Sequence, residues 1–419
     1  MGTSIILGQG YVGLPLAEAL TEVGETVLGF DVNQKLVDNL NSGKSHVDDI
    51  SDAGVAKMIA NGYRATTNPA DIALADNVVI CVPTPLTHNG APDLTFVENA
   101  SELVAANLKP GALVILESTT YPGTTSNLLR PLLEQGGREL DKDFHLAFSP
   151  ERIDPGNQKF NIRNTPKIVG GESPESGKLA VAFYSRFVSQ IHETQGTKEA
   201  ETAKLLENTY RHVNIALINE LAMFCHALGI DVWEVVKAAS SKPYGFQAFY
   251  PGPGVGGHCI PVDPAYLSYE VKRRLGADFR FIETAMDINN GMPHYVVSRI
   301  QAILNRDGKA LKDAKVLLLG LTYKPDIADL RESPSLEIFE ILLEDGADAR
   351  FFDPHVTTAR IGATVQERQP DLFDAVDASD VVVLLQAHKA FDLEAIVARG
   401  KQVFDTRGIL APAGNVERL

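Results

Sequence analysis

The chain has 419 residues, 44% of them hydrophobic, with 54 acidic against 38 basic side chains and a net charge of −16. That length exceeds one ordinary core and predicts two or three domains. The negative charge works against nucleic acid and anionic membranes as partners, so an anionic ligand has to be met by local cations and helix ends. Cys81, Cys225 and Cys259 are too few and too far apart for a disulfide framework or a CxxC metal clamp, which fits a reducing cytoplasm. No run approaches the ~20 apolar residues of a membrane span, and the apolar residues around Ile5 begin a strand with neither a basic leader region nor a cleavage site.

Ser4 to Leu7 reads as a short strand, Gly8-Gln9-Gly10-Tyr11-Val12-Gly13 follows at once, and a helical pattern runs through Leu20. A second strand, Thr26 to Phe30, ends at Asp31, eighteen residues past Gly13. A lone GxGxxG is weak, but strand, glycines, helix and acid in this order fit a pyrophosphate at a helix N-terminus and a ribose diol on Asp31. Asp31 would repel a 2′-phosphate, which favours NAD over NADP. A ligand-free glycine turn is the competing reading.

Strands are expected at Asn77 to Val82, Ala112 to Glu117 and His145 to Phe148, ending in Val82-Pro83-Thr84-Pro85, Ser118-Thr119-Thr120-Tyr121-Pro122-Gly123 and Ser149-Pro150-Glu151-Arg152. Ligands of doubly wound sheets sit beyond the carboxyl ends of strands, so these loops are candidate site walls. From Lys198 to Leu228 the pattern is one long helix with an apolar stripe of Leu205, Leu206, Val213, Ala216, Leu217 and Leu221. Lys204, Asn208 and Arg211 fall at i, i+4 and i+7 on one face, either a solvated surface or the wall of a cleft.

Gly254-Val255-Gly256-Gly257-His258-Cys259-Ile260-Pro261-Val262-Asp263 sets a cysteine behind a glycine run. A thiol can trap an aldehyde, and glycines let a ligand or backbone approach it; a tight turn beside a structural cysteine is the plainer alternative. If the segment is extended, His258 points away from Cys259. Zinc on Cys225, His226, His258 and Cys259 fails on spacing, so no metal is expected. After a helix from Arg280 to Asn305, a strand at Lys315 to Gly320 opens a second Rossmann-like sheet in which Asp353 closes a strand as Asp31 does. It lacks the glycine fingerprint and offers Tyr323-Lys324-Pro325-Asp326 and Arg331, cations suited to a diphosphate, with Arg407 a further candidate.

These segments, together with Glu201-Thr202-Ala203-Lys204 and Asn208-Thr209, resemble the UDP-glucose/GDP-mannose dehydrogenase family over essentially the whole chain. The resemblance implies an α/β protein of two Rossmann-like doubly wound domains joined by a long central helix. It divides the chain into an NAD-binding domain at 1–197, a central helical domain at 198–305 with the cysteine loop and a dimer surface, and a UDP-sugar-binding domain at 306–419. NAD is the implied cofactor, with Lys35, Val82 to Pro85, Ser118, Thr119 and Arg331 joining the glycine loop and Asp31 in holding it. A UDP-sugar is the implied partner, held by Glu151, Arg152, Lys204, Asn208, Arg211, Tyr250, Gly254, Gly256, Tyr323, Lys324 and Arg407. Cys259, Lys204, Asn208, Asp263, Glu151 and Thr119 are the implied catalytic set, for a twofold oxidation of the C6 hydroxyl through a cysteine thiohemiacetal and thioester.

Family members acting on UDP-glucose carry a second glutamate where this chain has Pro155, and tend to have Ser in place of His258. The pattern therefore looks most like the UDP-N-acetylglucosamine branch, with UDP-glucose and UDP-N-acetylmannosamine as alternatives. A single-step hydroxyacid dehydrogenase would have no use for Cys259, and a non-catalytic nucleotide-sugar binder would not need the Cys259, Lys204, Asn208 and Asp263 set.

Overall fold

The structure is a computed structural model that describes residues 2–47, 49–87, 89–153, 157 and 159–419. Pro155 lies outside the described residues. Two compact units emerge, Met1–Glu207 with Ala265–Ala277, and Asn208–Pro264 with Asp278–Leu419. Two helices, Thr197–Ala227 and Asp263–Leu275, run from one unit into the other.

The first unit is built on β1 (Thr3–Leu7), β2 (Thr26–Phe30), β3 (Tyr63–Thr66), β4 (Asn77–Ile80), β5 (Ala112–Leu116), β6 (Phe144–Phe148), β7 (Lys167–Gly171) and β8 (Ile191–Glu193). They form one sheet in the order β3-β2-β1-β4-β5-β6-β7-β8. The first six are parallel, β7 runs antiparallel to β6, and β8 is parallel to β7. Val78, Val79 and Ile80, like Val114, Ile115 and Leu116, are fully buried, which is why these strands read as continuous apolar runs rather than alternating ones. The strand order reverses direction between β1 and β4, so the loops after both strands open at the same crevice.

The second unit holds a parallel sheet and a hairpin. Its strands are β9 (Lys315–Leu319), β10 (Asp348–Phe352), β11 (Thr358–Ile361), β12 (Thr364–Glu367), β13 (Val381–Leu384), β14 (Val403–Asp405) and β15 (Val416–Arg418), with sheet order β10-β9-β13-β14-β15 and β11 paired to β12. One face packs on helix Arg280–Arg306 through Met292, Val296, Ile300 and Ile303, and on Trp233, whose indole N–H donates to the Leu419 carbonyl at 3.2 Å.

The two sheets are alike down to single hydrogen bonds. The Gly8 N–H donates to the Phe30 carbonyl at 2.9 Å and the Gly320 N–H to that of Phe352 at 3.0 Å, with φ values of +90° and +80°. A Cβ on Gly8 would meet the Cys81 carbonyl oxygen at 2.4 Å, and one on Gly320 would meet the Gln386 Cβ at 2.6 Å. Only glycine fits such a turn from strand into loop.

The apolar stripe expected on the long helix divides between two faces. Leu205 and Ala216 are buried, whereas Leu206 and Leu217 are 61% and 58% exposed and lie in line with Tyr210 and Phe224, also exposed. Hydrophobic spacing identified the helix, but it could not separate the residues buried within the chain from those facing outward.

Candidate active site

In the first unit the glycine fingerprint divides its labour. A Cβ at Gly13 would meet the Gly8 carbonyl oxygen at 1.9 Å, so this residue closes the turn, whereas a Cβ at Gly10 would meet nothing within 4 Å. Gly10 therefore leaves an open approach at the N-terminus of helix Gly13–Glu22, the end of a helix that suits a pyrophosphate. Asp31 accepts from the Gln9 N–H at 3.1 Å and from the Asn33 N–H at 3.0 Å, and its carboxylate is half-buried at the end of β2. These residues fit a dinucleotide with a free ribose diol.

Gln9 differs from its neighbours. Its side chain is fully buried, donating to the Ile6 carbonyl at 2.9 Å and accepting from the Tyr63 hydroxyl at 2.8 Å, so only its backbone faces the loop. Tyr11 and Val12 pack partly against the core, and Lys35 is exposed on helix Gln34–Asn41.

The loops after β4, β5 and β6 lie side by side because those strands are neighbours. Buried Ser118 donates to the Val82 carbonyl at 2.8 Å and ties two of them together, and the Pro85 carbonyl accepts from the Tyr266 hydroxyl at 3.2 Å. Pro83 is exposed, while Thr84 and Thr119 are half-buried. Beyond Thr119 the chain is held by Glu201, which accepts from the N–H groups of Gly123 and Thr125 and from the Thr125 hydroxyl, at 2.5, 2.9 and 2.7 Å. Burial pushes this carboxyl up to about 7 even though those donors pull the other way.

Glu151 and Lys204 meet in the same unit, where the Lys204 ammonium donates to the Glu151 carbonyl at 2.7 Å. Arg152 is committed to a forked ion pair with Glu207, 2.7 Å at the shorter arm. Behind Glu151 lies a buried group that sequence reasoning missed. Lys167 is 3.1 Å from Glu117 and 4.0 Å from Glu151, and the Tyr184 hydroxyl donates to Glu117. Burial raises the Glu117 carboxyl; it also disfavours the charged Lys167, but the facing carboxylates more than offset this and raise the ammonium.

In the second unit Asn208 donates to Asp263 at 2.5 Å, both side chains being buried. Cys259 is exposed, and its carbonyl accepts from the Asp263 N–H at 2.8 Å as the chain enters helix Asp263–Leu275. Residues 257–262 bend and turn instead of running extended, so side-chain alternation does not govern how His258 and Cys259 are aimed. Arg211 is exposed on the long helix.

The glycine run makes room for protein. A Cβ on Gly256 would meet the Tyr323 Cβ at 2.8 Å, one on Gly257 the Tyr323 ring at 2.8 Å, and one on Gly254 the Pro334 side chain at 2.8 Å. The Gly257 N–H also donates to the Arg331 carbonyl at 3.3 Å. The cysteine segment is therefore laid directly on the Tyr323-Lys324 loop and the Arg331 segment. Arg331 is exposed and forked onto Asp329, 2.6 Å at the shorter arm. Tyr250 stacks on Trp233 with centroids 6.2 Å apart. Arg407 donates to the Leu385 carbonyl at 2.6 Å and lies over Gly252; burial pushes its guanidinium down to about 10.

The second sheet also explains why its acid does not repeat the first. Asp353 accepts from the Leu321 N–H at 2.7 Å as Asp31 does from Gln9, but its other neighbour is His388, 3.2 Å away, and both side chains are fully buried. The place a ribose diol would take is filled by an imidazole. Burial would raise this carboxyl, yet its hydrogen bonds from His388, His355 and Leu321 hold it below the usual range. Ligand atoms of Asp326, His355 and His388 lie within 4.8 Å of one another. His388 has no lone pair to offer a metal there, because Nδ1 accepts the Asp326 N–H at 2.9 Å and Nε2 faces Asp353.

An open glycine turn with an acid suited to a ribose diol in one unit, and an exposed thiol with a buried Asn-Asp pair in the other, fit a nicotinamide-dependent dehydrogenase. Three domains of the UDP-glucose/GDP-mannose dehydrogenase family match: the NAD binding domain at residues 3–188, the central domain at 198–291 and the UDP binding domain at 317–412. The chain is 35% identical over 424 residues to UDP-N-acetyl-D-mannosamine dehydrogenase of Salmonella typhi, covering 97% of this chain and 99% of that one. It is 36% identical to NDP-N-acetyl-D-galactosaminuronic acid dehydrogenase of Ralstonia nicotianae, covering 97% and 96%. The solved UDP-D-ManNAc dehydrogenase of Pyrococcus horikoshii superposes with a TM-score of 0.90 at 33% identity, covering 99% of this chain and 98% of that one.

The chain belongs to the UDP-glucose/GDP-mannose dehydrogenase family, the NAD-dependent dehydrogenases of nucleotide sugars.

Proposed function

We propose that the enzyme oxidises the C6 hydroxyl of a UDP-N-acetylhexosamine to a carboxylate in two steps, holding the intermediate on Cys259. The observation that carries the reading is an exposed thiol held immediately ahead of a buried Asn208–Asp263 pair, in a chain that also has an NAD domain. The sequence pattern favours UDP-N-acetylglucosamine. The Salmonella and Ralstonia relatives are named for N-acetylmannosamine and N-acetylgalactosaminuronic acid. The shared feature is a 2-acetamido sugar, and UDP-N-acetylmannosamine is the first epimer to assay.

NAD, which the glycine loop and Asp31 would hold, would accept one hydride per oxidation, so the first NADH would be exchanged for a second NAD before the adduct is oxidised. A water shared with Asp263 takes the C6 hydroxyl proton, and the Lys204 ammonium and Asn208 donate to the developing alkoxide. The Cys259 thiolate then bonds to the aldehyde carbon. Oxidation of that adduct leaves a thioester on the sulfur. Water positioned by Thr119 attacks it, Glu151 accepts the water's proton, and the Cys259 thiolate departs as the uronate forms. Tyr323, Lys324 and Arg407 are assigned to the UDP moiety, the cations matching its diphosphate. Arg211 is assigned to the acetamido group, since a guanidinium can donate to its carbonyl.

The test is NADH release against UDP-N-acetylglucosamine, UDP-N-acetylmannosamine, UDP-N-acetylgalactosamine and UDP-glucose, compared by kcat/KM with NADH counted per sugar. The reading expects two NADH per sugar and a preference for an acetamido substrate; one NADH per sugar, or preference for UDP-glucose, contradicts it. Asp31→Asn is expected to raise the KM for NAD roughly tenfold, about 1.4 kcal/mol, and to narrow the preference over NADP. Steady-state KM values for both nucleotides check this, and an unchanged KM for NAD removes Asp31 from the ribose.

The exposed line of Leu206, Tyr210, Leu217 and Phe224 supports a homodimer packed along the long helix, since large apolar patches on a surface mark association sites. Leu217→Glu with Phe224→Glu should convert the dimer to a monomer in light scattering after gel filtration. Among the described residues no helix is long and apolar enough to cross a membrane.

A further inference from the structure

We propose that Lys167 is the positioning residue for Glu151, setting the aim of its carboxylate and the field around it, and that Glu117 tempers that field. The inference rests on the reading of Glu151 as acceptor of the hydrolytic water's proton.

The placement follows from sheet topology. β7 is the strand that runs antiparallel to β6, pairing Phe148 with Gly170 and Ala147 with Gly171. Continued past Phe148, that register sets Lys167 opposite Glu151, so a residue at the start of β7 arrives at the carboxyl end of the sheet, where the site loops lie. β5 on the other side of β6 ends there too and delivers Glu117. A lysine 4% exposed and a glutamate 1% exposed are costly to bury and are retained only with partners. Glu117 is at 3.1 Å from Lys167 and is itself held by Tyr184, over whose ring the Lys167 ammonium lies at 5.1 Å.

Glu151 is the incompletely satisfied member. One of its oxygens accepts from the Ile153 N–H, while buried Oε2 has no hydrogen-bond partner among the described residues and stands 4.0 Å from Lys167. At that distance Lys167 acts through its field, which a low-dielectric surround strengthens, and leaves Oε2 available to accept a proton. The other groups facing Glu151 are Cys81 beyond β4, its thiol raised by burial, Arg152 paired with Glu207, and Lys204 on the Glu151 carbonyl.

The test separates thioester hydrolysis from the oxidations by rapid quench, following NADH and uronate from about pH 3.5 to 9, which roughly brackets ordinary carboxylate titration. Lys167→Met with Glu117→Gln keeps the buried pair neutral. It should retain the NADH burst, slow hydrolysis about tenfold at neutral pH and move the acid limb of hydrolysis about one unit higher. Glu117→Gln alone leaves Lys167 uncompensated and should move the limb lower, and Lys167→Arg should restore most of the wild-type profile. Opposite shifts are something a merely structural pair would not produce. A double variant and a Glu117→Gln variant that both hydrolyse with the wild-type profile, while Glu151→Gln is slow, overturn the proposal. A Glu151→Gln variant that hydrolyses at the wild-type rate removes the Glu151 reading, and the proposal with it.

Discussion

Cys259→Ser should lower uronate formation by at least ~10³-fold while leaving melting temperature unchanged, because the thiol is exposed and packs no core. A serine hydroxyl is a poor nucleophile without a dedicated base, and an ester formed from it would hydrolyse more slowly than a thioester. Slow, partial oxidation or an ester-like adduct is therefore expected in place of full turnover. The segment around position 259 should keep its path in the variant, since it is fastened by Tyr323 against Gly256 and Gly257 and by the Cys259 carbonyl on the Asp263 N–H. Undiminished acid formation in this variant would remove the covalent step.

Lys204→Ala should reduce kcat by roughly two to three orders of magnitude with a much smaller change in KM. The ammonium is buried and donates to the Glu151 carbonyl, and on this reading it also donates to the developing alkoxide. An interaction strengthened chiefly in the transition state appears in kcat. Steady-state kinetics with saturating NAD measures the division, and a pure KM effect would reassign Lys204 to substrate binding.

What could be read from the residues alone follows the range of the interactions. The glycine turn, helix and Asp31 were legible because strand, loop and helix are consecutive, and the parallel strands announced themselves as unbroken apolar runs. The direction of the Gln9 side chain was not, because its partner Tyr63 arrives from β3. Glycines before Cys259 signalled close approach, but the approaching group is Tyr323, distant in sequence, and nothing local names it. Asp353 resembled Asp31 in pattern, yet His388 from beyond β13 fills its site. Glu117 read only as the end of an apolar strand, and Lys167 opens a strand, β7, that was not expected from the sequence. A charge at such an end is a weak signal alone, and only the antiparallel register of β7 turns it into a buried group behind Glu151.

The chemistry requires a bond between the Cys259 sulfur and the sugar's C6. Rapid acid quench of enzyme with UDP-sugar and NAD, followed by peptide mass spectrometry, tests it most directly. The expected result is a thioester-linked sugar on the peptide containing Cys259, replaced in Cys259→Ser by at most a slowly formed ester. An unmodified Cys259 throughout turnover, with free aldehyde accumulating in solution, would contradict it.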